Sequence, residues 1–453
     1  MNLEDLARRM GGELKDSDPA TQIRDFQTDS RAVQPGDVFL AIKGANVDGH
    51  DFAALVAAAG AATTVAERDI PGPALRVERV IAALARLGKS LRDEFTGPVV
   101  GITGSNGKTT AKEFTAAALS PLGEVLKSAG NRNSEFTSPL AWFSKTESTR
   151  AAVIEMGMRG FDQIAHLASI SRPTIGIITV IGTAHIEMVG SRAGIARAKG
   201  ELFQALPDDG VAIAWAEDDF REDLRRLAPG RFLTFGFSPE AHLRILGYRS
   251  EGWTSCRVRM QWQGEEAEVV LPVIGRHQAL NAAAACLAAV QAGVPFAEAV
   301  AALARAELPP LRMEVREVHG VTLLLDNYNA SPDSTAAALR ALAEGPAQGR
   351  KLAILGEMRE LGDYTESGHR LVGRALTAAP IDHVFLTGGP TRFIADEART
   401  TGYPADRLTD AETLDLGAVA QFLRSTRPGD VVLIKGSRAL ELERAVADWE
   451  ARP

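Results

Sequence analysis

Residues 101–110 read Gly101-Ile-Thr-Gly-Ser-Asn-Gly-Lys-Thr-Thr110, and this run has the composition of a phosphate cradle. Glycines at 104 and 107 let the backbone N–H groups around Ser105 and Asn106 converge on phosphate oxygens. A helix beginning at the lysine adds positive potential. Lys108 would reach the β- and γ-phosphates of a nucleotide and the Thr109 hydroxyl would ligate Mg²⁺, with Thr110 completing the motif. The spacing departs from G-x-x-x-x-G-K-[ST], because position 102 is Ile and the first glycine falls one residue earlier. The nucleotide expected here is ATP.

Three polar residues follow in order. Glu155 ends the apolar run Ala151-Ala-Val-Ile154, at the carboxyl edge where α/β sheets bind ligands. An oxygen ligand of this kind suits Mg²⁺, although a strand-end acid is also simply solvated in many proteins. His185 lies in Gly-Thr-Ala-His-Ile-Glu, and a single loop histidine by itself reads as structural. Lys199 sits in a helical stretch where charges are ordinarily solvated, but Ala196, Ala198 and Leu202 imply partial burial. A buried amine loses its proton and becomes reactive. What joins the three is their succession behind one phosphate loop.

The elements that must position these residues alternate in type. Val99–Thr103, Ala151–Met156, Thr174–Val180 and Val211–Ala214 read as buried strands, and 111–118, 161–169 and 192–206 as helices. That alternation predicts a parallel sheet with helices on both faces. Two-residue alternation over 241–274 predicts an antiparallel insert. Before Gly97-Pro98 the chain has short strands at 37–42 and 63–66 and a helix at 51–59; after Leu308-Pro309-Pro310 the β-α rhythm restarts with strands at 321–325, 351–355, 383–386 and 431–434. The expected domains are therefore 1–96, 97–310 and 311–453. Three domains also suit 453 residues at roughly 150 per domain.

Composition narrows the classes. Hydrophobic residues are 45% and charged residues 24%, which excludes a wholly disordered chain. A net charge of −8 disfavours non-specific binding to nucleic acid or anionic membrane, and no nucleic-acid partner is expected. Met-Asn-Leu-Glu-Asp-Leu at the start places acids where a signal peptide needs basic residues, so a cytoplasmic location is expected. The uncharged stretch 278–297 is mostly alanine and reads as a buried helix, not an integral membrane span. Cys256 and Cys286 have no metal-type spacing and are expected to be reduced core thiols.

With these residues in view, the chain resembles the Mur ligase family of ATP-dependent amide ligases over essentially its whole length. Thr103-Gly-Ser-Asn-Gly-Lys-Thr109 is similar to that family's nucleotide loop, which accounts for the altered spacing. Glu155 in Ile-Glu-Met-Gly and His185 in Ala-His-Ile-Glu resemble its magnesium residues, and Lys199 its Ala-Lys-x-Glu position, carbamylated by CO₂ in relatives. Carbamylation turns a cation into an oxygen ligand for a second Mg²⁺. Gly275-Arg-His-Gln-Ala-Leu-Asn281 resembles the segment meeting adenine, Arg312 the arginine opening the C-terminal domain, and Asp326-Asn-Tyr-Asn329-Ala-Ser-Pro-Asp333 the ribose turn. The fold implied is α/β with three domains: a small mixed α/β uridine-nucleotide domain, a central P-loop parallel-sheet ATPase domain with an antiparallel insert, and a C-terminal Rossmann-like α/β domain.

Within the family, Thr28-Asp-Ser-Arg31, Phe39-Leu-Ala-Ile-Lys-Gly44 and Asp48-Gly-His-Asp-Phe52 resemble a uridine-nucleotide domain. Ser30, Arg31 and Lys43 are thereby expected near the UDP diphosphate, with Asp48 and His50 also on that substrate. Leu355-Gly-Glu-Met-Arg-Glu-Leu-Gly362 and Lys435-Gly-Ser-Arg438 are similar to the forms found in the member that adds D-alanyl-D-alanine to UDP-N-acetylmuramoyl-tripeptide. The Asp-Asn-Pro-Arg signature of the third-residue ligase is missing, and Leu386-Thr-Gly-Gly-Pro-Thr-Arg392 stands in that region. The resemblance implies an acyl-phosphate mechanism, two Mg²⁺ ions, a monomer, and a C-terminal domain that closes over ATP. The acids of 356–362 are left between orienting the dipeptide and capping a helix. Ser134, Thr137, Trp215 and Ser331 depart from the family's commoner residues. Rival readings are another amide ligase of this architecture, such as a folylpolyglutamate synthase, a nucleotide switch, and an inactive nucleotide-sugar-binding protein.

Overall fold

Apolar runs of four to seven residues become strands buried on both faces, and the amphipathic segments between them cover the sheets. The computed structural model describes residues 1–44 and 47–451, which form three sheets in chain order. The first sheet holds β1 (Glu13–Lys15), β2 (Phe26–Gln27), β3 (Val38–Leu40), β4 (Thr63–Ala66) and β5 (Ala74–Arg76), in the order β1-β5-β4-β3-β2. It is parallel except where β1 meets β5. The helix Leu3–Met10 buries Leu3, Leu6, Ala7 and Met10, one face at helical spacing, and the Asn2 side chain caps its N-terminus. That face packs against the helix Val80–Asp93.

The second sheet holds β6 (Val99–Thr103), β7 (Glu124–Lys127), β8 (Thr149–Glu155), β9 (Ile175–Ile178), β10 (Val211–Trp215), β11 (Arg231–Gly236), β12 (Leu243–Glu251), β13 (Ser255–Trp262) and β14 (Glu265–Leu271). Its order is β14-β13-β12-β11-β10-β9-β6-β8-β7. Pairing is parallel from β7 through β12 and antiparallel from β12 to β14, as the change of alternation over 241–274 predicts. The uncharged alanine stretch is the helix Arg276–Gln291, buried nearly all round and packed on the helix Lys108–Leu119. Among the described residues no helix is long and apolar enough to cross a membrane. Cys256 and Cys286 are free and buried.

The third sheet holds β15 (Glu314–Val318), β16 (Val321–Leu325), β17 (Lys351–Gly356), β18 (His383–Thr387), β19 (Leu408–Asp410) and β20 (Val431–Lys435), in the order β15-β16-β20-β17-β18-β19. Only β15 and β16 run antiparallel. The fold is thus the expected three-domain α/β arrangement, with the central sheet as its largest layer.

Candidate active site

In register, Ile102 of β6 faces Glu155 of β8, and Thr103 faces Ile178 of β9, so the loops leaving these three strands open side by side. The phosphate loop fills the gap between β6 and the helix starting at Lys108. Gly107 is left-handed at φ 80°, and an added Cβ would stand 2.5 Å from Asn281 Oδ1, so Asn281 lies directly against the loop. Lys108 Nζ donates to the Gly104 carbonyl at 2.8 Å. Burial pushes the Lys108 amine below its ordinary range, with Glu155 opposing that shift and Arg312 adding to it.

Glu155 is almost fully buried. Its Oε1 accepts from Thr109 Oγ1 at 3.3 Å and from Asn133 Nδ2 at 2.7 Å. Its Oε2 has no hydrogen-bond partner, and Lys112 Nζ stands 4.0 Å away. A buried carboxylate oxygen without a partner is costly unless a cation meets it, which fits a metal ligand. Among the described residues no three of His, Cys, Asp and Glu cluster in a metal-holding group. A Mg²⁺ here would therefore take most of its ligands from phosphate oxygens and water, as that ion ordinarily does. Lys199, 1% exposed on the helix Arg192–Gln204, is pushed well below the ordinary amine range by burial, and Lys108 adds to the shift. An amine shifted in that direction holds its proton less firmly and is the more nucleophilic for it. His185 is left-handed at φ 63°, with Nδ1 2.7 Å from Glu360 Oε2.

The third sheet closes the cavity from above the loop. The Arg312 guanidinium lies over the Tyr328 ring, 4.1 Å from its centroid. Lys435 Nζ pins the ribose-turn candidates, meeting Asp326 Oδ2 at 2.6 Å and the Asn329 carbonyl at 3.1 Å. Ser331 Oγ donates to Asn106 Oδ1 at 3.0 Å, and Asp333 Oδ2 accepts from Thr183 N–H at 2.9 Å and Thr183 Oγ1 at 2.8 Å. His277 is pushed down to about 4, chiefly by burial, and is a neutral ring beside the base-site candidates. The cavity so enclosed is about 1080 Å³. Ser105, Asn106, Gly107, Lys108, Thr109, Thr110, Glu155, His185, Asn281, Arg312, Asp326 and Asn329 all line it. Gly104 and Lys199 are not among the lining residues; the Gly104 carbonyl accepts from Lys108, and Lys199 lies within reach of the Lys108 charge. Trp215 lines it too, and the 131–136 loop forms its far side.

The uridine candidates lie elsewhere, on the first sheet's loops. Ser30 and Arg31 form a short 3₁₀ turn capped by Asp29, whose carboxyl the Arg31 guanidinium lowers to about 2. Lys43 and Asp48 are bridge partners. Both His50 nitrogens are engaged: Nδ1 lies 2.6 Å from Asp48 Oδ1, and Nε2 accepts from Glu67 N–H at 2.9 Å. Arg31 is exposed but paired with Asp29, and His50 braces its own loop.

Two residues of the site, Lys112 and Asn133, had no place in the sequence reading, and two more, Asp333 of the ribose turn and Glu360 among the acids of 356–362, were read for other roles. Lys112, fully buried, donates to the Ser128 carbonyl at 2.8 Å and the Gly130 carbonyl at 2.6 Å, tying the phosphate-loop helix to the loop that follows. Its signal was available, since it follows Lys108 by one helical turn. Asn133, Asp333 and Glu360 have partners in distant segments, which no local pattern announces.

The chain matches three family descriptions: Mur ligase family, catalytic domain, over residues 22–87; Mur ligase middle domain over 102–289; and Mur ligase, glutamate ligase domain, over 311–438. It is 34% identical to the UDP-N-acetylmuramoyl-tripeptide--D-alanyl-D-alanine ligase of Mycobacterium tuberculosis, with 99% of this chain and 97% of the relative covered. The crystal structure of MurF from Acinetobacter baumannii superposes with a TM-score of 0.88 at 30% identity, covering 100% and 99% of the two chains. MurF ligase from Thermotoga maritima in complex with ADP gives 0.80 at 30% identity, covering 94% and 97%. Sequence, fold and cavity agree: the chain belongs to the Mur ligase family.

Proposed function

We propose that this protein is an ATP-dependent ligase joining D-alanyl-D-alanine to UDP-N-acetylmuramoyl-tripeptide, the last cytoplasmic amino-acid addition in peptidoglycan precursor synthesis. The observation that carries this reading is near-full-length similarity, at 34% identity, to a relative of that name. The cavity supplies a physical route to the reaction.

A carboxylate is a poor electrophile, so amide formation in water needs activation. The terminal carboxylate of the tripeptide attacks the γ-phosphorus of ATP; a C–O–P linkage forms, the P–O bond to ADP breaks, and an acyl phosphate results. The amine of the dipeptide then attacks the carbonyl, loses a proton and expels phosphate. The first step brings two anions together. Lys108 on the phosphate loop and Arg312, in the turn before β15, supply positive charge where that repulsion is greatest. Backbone N–H groups of 104–109 hold the phosphates, Asn281 and neutral His277 receive the base, and Asp326 and Asn329 receive the ribose. Mg²⁺ held by Thr109, Glu155, His185 and carbamylated Lys199 would neutralise phosphate charge as the reaction proceeds. In carbamylation the neutral Lys199 nitrogen bonds to the carbon of CO₂ and releases a proton, leaving an anionic oxygen donor. The contacts of Asp333, Ser331 and Glu360 with Thr183, Asn106 and His185 hold the C-terminal domain over the site, which keeps water from the acyl phosphate.

The test is phosphate release from ATP and Mg²⁺, adding the UDP-tripeptide and D-alanyl-D-alanine singly and together. Release requiring both, with a UDP-pentapeptide by mass, is expected. Release with neither favours a nucleotide switch. Activity only with a UDP-dipeptide and a free diamino acid identifies the third-residue ligase instead.

A further inference from the structure

The loop after β17 carries Glu357-Met-Arg-Glu-Leu-Gly362. Glu360 caps no helix there; its side chain is partly exposed, with the carboxylate turned onto the central domain. Its backbone is left-handed at φ 60°, a conformation that a side-chain-bearing residue keeps only when its surroundings impose it. Gly362 packs so tightly onto the central domain that an added Cβ would stand 2.8 Å from Glu187 Cγ. The Glu360 carboxylate spans two loops of that domain, with Oε1 3.6 Å from Arg159 Nη2 and Oε2 2.7 Å from His185 Nδ1. That histidine nitrogen is buried, lies off the line of an ideal hydrogen bond to Oε2, and has no other acceptor. Arg159 belongs to the loop leaving Glu155, so one carboxylate of the C-terminal domain joins the loops that carry Glu155 and His185.

We propose that Glu360 is a positioning residue that fixes the His185 ring from across the domain interface, so that the nitrogen facing the phosphate site is set only when the C-terminal domain is docked. A carboxylate accepting from Nδ1–H leaves Nε2 unprotonated and aims it. Asp333 grips the same segment two residues earlier, through Thr183. Docking and assembly of the phosphate site are thereby one event, and phosphoryl transfer waits until the cavity is closed to water. The proposal rests on the ligase reading above.

The experiment compares the full-length protein with Glu360→Ala and Glu360→Gln, the second keeping a hydrogen-bond acceptor. Ring ¹⁵N shifts of His185, assigned with His185→Gln, report its tautomer; Mn²⁺ binding in the presence of ADP is read by electron paramagnetic resonance; kcat and KM are measured in parallel. We expect an Nδ1–H tautomer in the parent, mixed tautomers in Glu360→Ala, and Mn²⁺ affinity weaker by about tenfold. kcat falls by about the same factor, KM for D-alanyl-D-alanine stays within about twofold, and Glu360→Gln recovers most of each loss. Unchanged tautomer and Mn²⁺ affinity in Glu360→Ala would overturn the proposal, as would a change confined to the dipeptide KM, which assigns Glu360 to substrate contact. If the parent makes no product while the tautomer and Mn²⁺ effects hold, the ligase reading fails and the positioning role stands.

Discussion

Lys199 is the residue whose chemistry depends most on its surroundings. Fully enclosed and close enough to Lys108 to feel its charge, it is held far from its ordinary protonation. Lys199→Ala is expected to remove about 10²- to 10³-fold of activity, the scale of losing one electrostatic stabiliser, and millimolar formate or acetate is expected to restore part of it. Full activity of the variant without any addition rules out the carbamate. His277 gives a prediction in pH. Its folded pKa, about 4, lies below the ordinary value of 6.5. Below 6.5 the unfolded chain gains a proton that the folded chain refuses, so stability falls as pH drops from about 6.5 toward 4, by at most about 3 kcal/mol. Urea midpoints across that window should decline more steeply in the parent than in His277→Asn; parallel curves contradict the assignment. At this scale the phosphate loop was legible because its chemistry is contiguous in the chain. The contacts of Lys112, Asp333 and Glu360 were not, because they are made with partners up to 175 positions away.

Among the elements, the buried strands of the central sheet were readable from apolar runs alone, since both faces are covered and no alternation is needed. The helix Val80–Asp93 went unread. Its apolar face is interrupted by Gly88, and Arg92 is itself buried, donating to the Ser171 and Phe95 carbonyls. The edge strand β7 went unread for a related reason: four residues with exposed Glu124 and Lys127 make no pattern. The helix Pro332–Glu344 carries a prediction. Ser331 caps it in a reciprocal box with Ser334 and also reaches Asn106 of the phosphate loop. Ser331→Ala should cost about 1 kcal/mol of stability and raise KM for ATP. Ser331→Asn keeps a capping oxygen and should restore stability. Equal melting of all three proteins would mean that the cap contributes nothing.

For the molecule as a whole, the order of sheets was legible because linkers and changes of rhythm punctuate the chain. How the sheets meet was not, since interfaces are built from single polar residues such as Thr183 with Asp333. Those contacts join the C-terminal domain to the central one over the site, and we propose that this domain closes when substrates bind. An ATP analogue together with the UDP-tripeptide should draw the solution-scattering envelope inward relative to the free protein. An unchanged distance distribution contradicts closure. Closure matters because the acyl phosphate survives only in a dry cavity.

The most direct measurement follows one oxygen atom. UDP-N-acetylmuramoyl-tripeptide labelled with ¹⁸O in its terminal carboxylate is turned over with ATP and D-alanyl-D-alanine, and the released phosphate is weighed. The account predicts one ¹⁸O in each phosphate, carried from carboxylate through the acyl phosphate, alongside UDP-pentapeptide. Product formed with unlabelled phosphate, or labelled substrate returned intact while ATP is hydrolysed, would contradict it.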